Sequence, residues 1–172
     1  MNWIFVVFVV FLVLVMRKIH AANNIKGIKI QVVCVKSVEA LINDYPSLAK
    51  EISNNMLPVK EIGSGRLFIA LTENGHFGGL VRLALIPGSY APIEILHTVK
   101  NVVWFEDFFV PDYVRREGFG KTVGMKALSE AGNVTVAAVV HSDNFAIMAY
   151  LPRLGFIQKK TILPWTLFIK EA

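Results

Sequence analysis

The run Arg115-Arg116-Glu117-Gly118-Phe119-Gly120-Lys121 constrains this chain more than any other feature. An apolar stretch that reads as a strand, residues 102–110, leads into it, and a segment with helical pattern, residues 120–131, follows. Strand, glycine turn and helix start, in that order, leave free backbone N–H groups at a helix N-terminus with cations beside them. That arrangement cradles anions, so the expected ligand carries phosphate. Two phosphate loops are excluded by position. Gly120-Lys121-Thr122 mimics the end of a P-loop, but the first glycine of that motif would fall on Arg115. Gly118-x-Gly120 mimics a dinucleotide fingerprint, but Val123 stands where the third glycine belongs.

The chain has 172 residues, enough for one domain with a sizeable core. Its hydrophobic fraction of 54% is high, and much of the excess sits at the N-terminus. The formal net charge is +5. A basic balance fits nucleic acid, a membrane surface or an anionic cofactor. No basic stripe with interleaved aromatics is present, so no nucleic acid is expected. A single cysteine, Cys34, excludes an internal disulfide, and its place in the apolar run 28–35 predicts a buried thiol. His20, His76, His97 and His141 show no metal-ligand spacing, so no metal is expected.

Residues 3–16 are continuously apolar and Arg17-Lys18 follows directly. Roughly fourteen apolar residues fall short of the usual span of about 20, a gap that snorkelling of the basic pair narrows. A signal peptide is the rival reading, but no basic region precedes the apolar run and His20-Ala21-Ala22 is a poor cleavage site. A stretch of no native importance is the third. With no polar face, surface docking as an amphipathic helix is excluded. Residues 1–22 are therefore expected to be an uncleaved anchor helix, with the basic flank in the cytosol.

Residues 26–172 form the expected globular domain. Strands are expected at 28–35, 66–72, 80–86, 100–110 and 134–140, and a strand pair interrupted by Pro164 at 156–170. Helices are expected at 38–45, 47–55, 120–131 and 144–154, with long loops at 56–65 and 87–97. The order gives a mixed α/β sheet.

Arg115-x-x-Gly118-x-Gly120 matches R-x-x-G-x-G, the pyrophosphate motif of GNAT-type N-acetyltransferases, and the chain resembles that family over about residues 100–157. Glu106-Asp107-Phe108-Phe109-Val110 is similar to the E-D-L-Y-V strand that precedes this loop in many members. Residues 144–156, N-F-A-I-M-A-Y-L-P-R-L-G-F, are similar to the family's N-x-x-A-x-x-x-Y-x-x-x-G-F. The resemblance implies a mostly antiparallel sheet flanked by helices. It also implies transfer of an acetyl or other acyl group from acetyl-CoA to a small-molecule or peptide amine. Use of coenzyme A agrees with a cytosol-facing domain, membrane-associated through residues 1–22 or, alternatively, cytoplasmic.

By this resemblance, N–H groups from Arg116 through Glu117, Gly118, Phe119, Gly120 and Lys121 to Thr122 hold the two phosphates. Gly118 and Gly120 keep Cβ atoms out of the way, Arg116 and Lys121 add charge, and Arg115 shapes the loop or binds phosphate. Phe108, Phe109 and Val110 offer backbone groups to the pantetheine arm while their side chains pack in the core. Asn144 caps the last helix, binds the pantetheine arm, or does both. Glu106 is the candidate general base, because attack on a thioester needs a neutral amine. The other role open to it is to orient a cationic amine. Strand alternation puts Asp107 on the opposite face, so only one of the two carboxylates is expected in the cleft. The last helix departs from the pattern: Ile147 stands at the family's alanine and Leu151 at the tyrosine that commonly protonates the leaving thiolate. Tyr150 lies one position earlier, about 100° round the helix. It is either a displaced acid or a core residue. Leu151 also admits a second reading, an acyl-CoA-binding regulatory module. A third is an acyltransferase for longer chains. Acceptor choice is expected to lie in residues 38–65 and 87–97, and oligomers are compatible with all three.

Overall fold

A computed structural model describes residues 29–56, 59, 62–88 and 92–172. The segment read as an anchor, residues 1–22, lies outside the described residues. Among the described residues no helix is long and apolar enough to cross a membrane.

Chain order runs β1 (Gln31–Val35), α1 (Val38–Asp44), α2 (Pro46–Asn55), β2 (Arg66–Leu71), β3 (Phe77–Ala84) and a short helical turn α3 (Ile93–Leu96). It continues with β4 (Val103–Phe109), α4 (Phe119–Ala131), β5 (Val136–His141), α5 (Phe145–Tyr150), β6 (Ile157–Ile162) and β7 (Trp165–Lys170). Helix α1 starts where the Ser37 hydroxyl accepts the Ala40 N–H at 3.2 Å, and α2 starts on Pro46, whose missing N–H costs nothing there.

The strands form one sheet in the order β1-β2-β3-β4-β5-β7-β6. All neighbours are antiparallel except β4 and β5. That one parallel pair is joined only at Val103↔Val136 and Trp104↔Ala137. Beyond it the two strands run on to Phe109 and His141 without pairing each other, and the sheet opens. This is the mixed sheet that the order of elements predicts, and the mostly antiparallel, helix-flanked form that the family resemblance implies.

Two faces are covered differently. On one, α4 and the 3-10 turn Leu151–Leu154 after α5 bury Phe119, Val123, Leu151 and Leu154 against Val81, Leu83, Phe105 and Ala138. On the other, α1 and α2 bury Leu41 and Ile52 against Leu67, Ile69, Phe77 and Leu80. A smaller cluster on that second face joins Ala84, Ile95, Trp104, Ala137 and Leu167.

Four expectations change. Strand β3 begins at Phe77, not at residue 80, because Gly78 and Gly79 interrupt the apolar pattern without interrupting the strand. A Cβ at Gly78 would lie 2.2 Å from the Phe119 ring, so the gap in the pattern is the seat of α4's first residue. The strand also ends earlier, and Leu85 and Ile86 are exposed. Strand β4 begins at Val103, since residues 100–102 precede the pairing with β5. The helix expected over 144–154 is α5 followed by a 3-10 turn, because Pro152 cannot supply an N–H to an α-helical ladder. Finally, Cys34 is exposed on the edge strand β1 rather than buried.

Candidate active site

The opening between β4 and β5 is a cleft of about 250 Å³. Glu106, Asp107 and Phe108 line one wall and Val139, Val140 and His141 the other. Asn144, Ile147 and Leu151 close it from the helical side, and Trp165 reaches in from β7.

At the end of β4 the chain passes Pro111 and the 3-10 turn Asp112–Val114 before the glycine loop. Arg115 turns back on this loop: its Nε donates to the Val110 carbonyl at 3.2 Å and its Nη2 pairs with Asp112 at 2.7 Å. Of its two expected roles, the visible one is shaping the loop. Arg116 and Gly118 have φ of +70° and +93°, and Gly118 is the N-cap of α4. This left-handed backbone suits glycine and is strained for arginine. The first-turn N–H groups of Phe119, Gly120 and Lys121 have no intrahelical acceptor, whereas Thr122 N–H already donates to the Gly118 carbonyl at 2.9 Å. Arg116, Glu117 and Lys121 are exposed beside them.

Packing gives a reason of its own for a glycine at 120. A Cβ there would lie 3.0 Å from Phe108 Cζ and 3.2 Å from Val110 Cγ2. Its absence brings α4 against the end of β4, beside Phe108 of the cleft wall. Phe108 also stacks on Tyr150, with ring centroids 4.8 Å apart. Tyr150 in turn donates its hydroxyl proton to the Gly120 carbonyl at 2.7 Å. Tyr150 thus braces the cradle, and burial raises its phenol well above the ordinary tyrosine range. Leu151 is fully buried. Asn144 is the N-cap of α5, its Oδ1 accepting the Ile147 N–H at 3.3 Å.

Strand alternation fails at Glu106 and Asp107. The pairing shifts register between Leu80↔Phe109 and Arg82↔Glu106, and Asp107 takes a φ of +49°. This is a β-bulge in β4, which re-aims a side chain. Both carboxylates consequently point to the face of Arg82. Arg82 Nη2 donates to Glu106 Oε2 at 2.6 Å and Nε to Asp107 Oδ2 at 2.5 Å, while Nη1 donates to the Ser64 carbonyl at 2.7 Å. The Gly88 N–H donates to the other Glu106 oxygen at 2.8 Å. The side chains of Arg82 and Glu106 are 4% and 2% exposed, that of Asp107 is 21%. The expectation of one carboxylate per face is corrected: the cleft holds an Arg82–Glu106–Asp107 triad of net charge −1.

Arg82 and His141 were not among the expected site residues. The signal for Arg82 was a lone arginine inside an apolar strand, a cation that cannot be buried without carboxylate partners. Among the described residues no three His, Cys, Asp or Glu side chains cluster in a way that could hold a metal ion.

No family model and no curated protein matches this sequence. Solved structures do match the fold. An acyl-CoA N-acyltransferase from Pseudomonas aeruginosa is similar at a TM-score of 0.56 and 16% identity, over 83% of this chain and 99% of that one. The PaiA N-acetyltransferase from Thermoplasma acidophilum, solved with coenzyme A, is similar at 0.55 and 14% identity, over 83% and 99%. An acetyltransferase of the GNAT family from Staphylococcus aureus Mu50 is similar at 0.52 and 10% identity, over 81% and 98%. The chain has the fold of the GNAT acetyltransferases.

Proposed function

We propose that this chain transfers an acyl group, acetyl in the first instance, from coenzyme A to a primary amine. One observation carries the reading: the β4–β5 cleft holds Glu106 and Asp107, and Gly120 packs the N-terminus of α4, with Arg116 and Lys121 exposed beside it, against Phe108 of the cleft wall. A pyrophosphate fits that donor set, since three first-turn N–H groups lie close in sequence to two exposed cations where Gly120 draws α4 against β4. The backbone from Phe108 to Val110 and the Asn144 side chain would flank a pantetheine arm. Coenzyme A, when bound, supplies the acyl thioester.

The acceptor amine must lose a proton to attack. Glu106 serves either as the base, directly or through water, or as the carboxylate that orients the ammonium. Each of its oxygens accepts one bond from Arg82 or Gly88 and keeps a lone pair for that purpose. The triad's net negative charge favours a cationic acceptor near it.

A second reading is favoured by Tyr150 and Leu151. The phenol is committed to the Gly120 carbonyl and the residue at the family's tyrosine position has no proton to give, as in a fold that binds acyl-CoA and regulates a partner. Thiol release from acetyl-CoA, measured across a panel of amines, separates the two. Amine-dependent release supports the enzyme; tight binding with no release on any amine supports the module. We further propose that residues 3–16 anchor the chain in a membrane with the domain on the cytosolic side. Full-length chain that fractionates as soluble protein, or is found cleaved and exported, would overturn that placement.

A further inference from the structure

We propose that His141 is the acid that protonates the departing thiolate, an assignment that rests on the acyl-transfer reading above. His141 ends β5, and its ring lines the cleft together with Glu106, Asp107 and Leu151. Alternation along β5 fixes the side it takes. Val136, Ala138 and Val140 belong to the core under α4, whereas Ala137 packs in the cluster of Trp104 and Leu167. His141 shares the face of Ala137, and its edge-on contact with Trp165, 5.1 Å between centroids, agrees. Glu106 shares the face of Trp104. The imidazole and the carboxylate triad therefore stand on the same side of the sheet, on opposite walls of the cleft.

The ring is held by its own turn. Asn144 N–H donates to the His141 carbonyl at 2.9 Å, and Ser142 N–H donates to the Pro164 carbonyl at 2.6 Å. Asp143 serves both protonation states of the ring. Its backbone N–H donates to Nδ1 at 3.3 Å when that nitrogen carries no proton. Its carboxylate lies 3.5 Å from the same atom, where a protonated ring would present an N–H. Asp143 engages Nδ1, and the assignment gives the other ring nitrogen, Nε2, to the cleft. The other charged groups facing the ring are Glu106 and Asp107 across the cleft, with Arg82 behind them; Asn144, Ile147, Leu151 and Trp165 carry no charge.

The other candidates for the acid are poorly disposed. Leu151 has no proton to give, and Tyr150 spends its own on Gly120. Glu106 is ion-paired to Arg82 and nearly sealed from solvent, whereas the His141 side chain is 40% exposed and can reload from water. In the step, the amine nitrogen bonds to the acyl carbon, the carbon–sulfur bond breaks and its electron pair stays on sulfur. The imidazolium gives its Nε2 proton to that sulfur and remains neutral, with its other proton on Nδ1 facing the Asp143 carboxylate. The proton lost by the amine leaves through the triad or through water, so one proton departs and one is delivered in each turnover.

The test compares full-length wild type with His141→Gln in steady-state transfer from acetyl-CoA to the amine panel. The expected loss in kcat is on the order of 10²-fold, with KM for acetyl-CoA held within about twofold. Wild-type kcat in folded His141→Gln would overturn the assignment and leave the acyl-transfer reading standing. No turnover by wild type on any amine would overturn both.

Discussion

Replacing Arg82 by methionine tests how the site is held. The variant keeps much of the side-chain volume and removes all three of its hydrogen bonds, to Glu106, Asp107 and the Ser64 carbonyl. Glu106, only 2% exposed, would then be a buried carboxylate with one remaining donor, the Gly88 N–H. Breaking a buried ion pair by removing one partner costs about 3–5 kcal/mol, because the other charge stays desolvated. The Asp107 pair adds less, since its carboxylate reaches solvent. For a domain of this size each kcal/mol moves the melting temperature by roughly 2–4 °C, so a fall of roughly 6–20 °C is expected. Chemical denaturation of wild type, Arg82→Met, Glu106→Gln and the double variant closes a mutant cycle. The double variant should recover part of the loss, because the stranded charge is gone. A cost below about 1 kcal/mol for Arg82→Met, or strict additivity in the cycle, would refute the reasoning.

Two further variants probe the neighbouring groups. Glu106→Gln keeps the shape, removes the charge and should lower turnover by about 10²–10⁴-fold near neutral pH if Glu106 is the base, a loss that shrinks as pH rises and free amine accumulates. If it only orients a cationic amine, KM for the amine rises instead with kcat nearly kept, and a wild-type pH–rate profile would remove Glu106 from the mechanism. Tyr150→Phe should cost about 1 kcal/mol for the lost bond to Gly120 and leave kcat within about threefold. Burial raises the Tyr150 phenol, so the fold favours its neutral form; that contribution is whole below the ordinary tyrosine value of about 10 and is lost as pH rises through it toward the folded-state value. Melts between about pH 9 and 11 should therefore decline less steeply in Tyr150→Phe than in wild type, and parallel curves would contradict this.

The sheet and its helices were legible because most elements are patterned locally. The apolar alternation of β2, the caps of α1 and α2 and the glycine loop before α4 all announce themselves within a few residues. What was hidden depends on residues distant in sequence. Gly78 looks like a break in β3 until Phe119 is seen packed on it. The bulge at Asp107 is set by the register with Leu80 and Arg82, so Glu106 and Asp107 read as opposite-facing neighbours although they share one arginine. Gly120 reads as a residue that keeps a Cβ away from phosphate; that the Phe108 ring also leaves no room for one is visible only in the packing. His141 belongs to the site only because β5 splays from β4 after Trp104↔Ala137, a divergence that no single strand encodes.

Titration calorimetry of the full-length chain with acetyl-CoA tests the central claim most directly. Wild type should bind at a single site, with an affinity that weakens as salt screens Arg116 and Lys121. Gly120→Glu drives a side chain into Phe108 and Val110 and brings a negative charge to the phosphate cradle, so binding should be lost while the domain stays folded by circular dichroism. Unchanged affinity for acetyl-CoA in that folded variant would contradict the assignment of the Gly118–Gly120 loop, and with it the acyltransferase reading of the cleft.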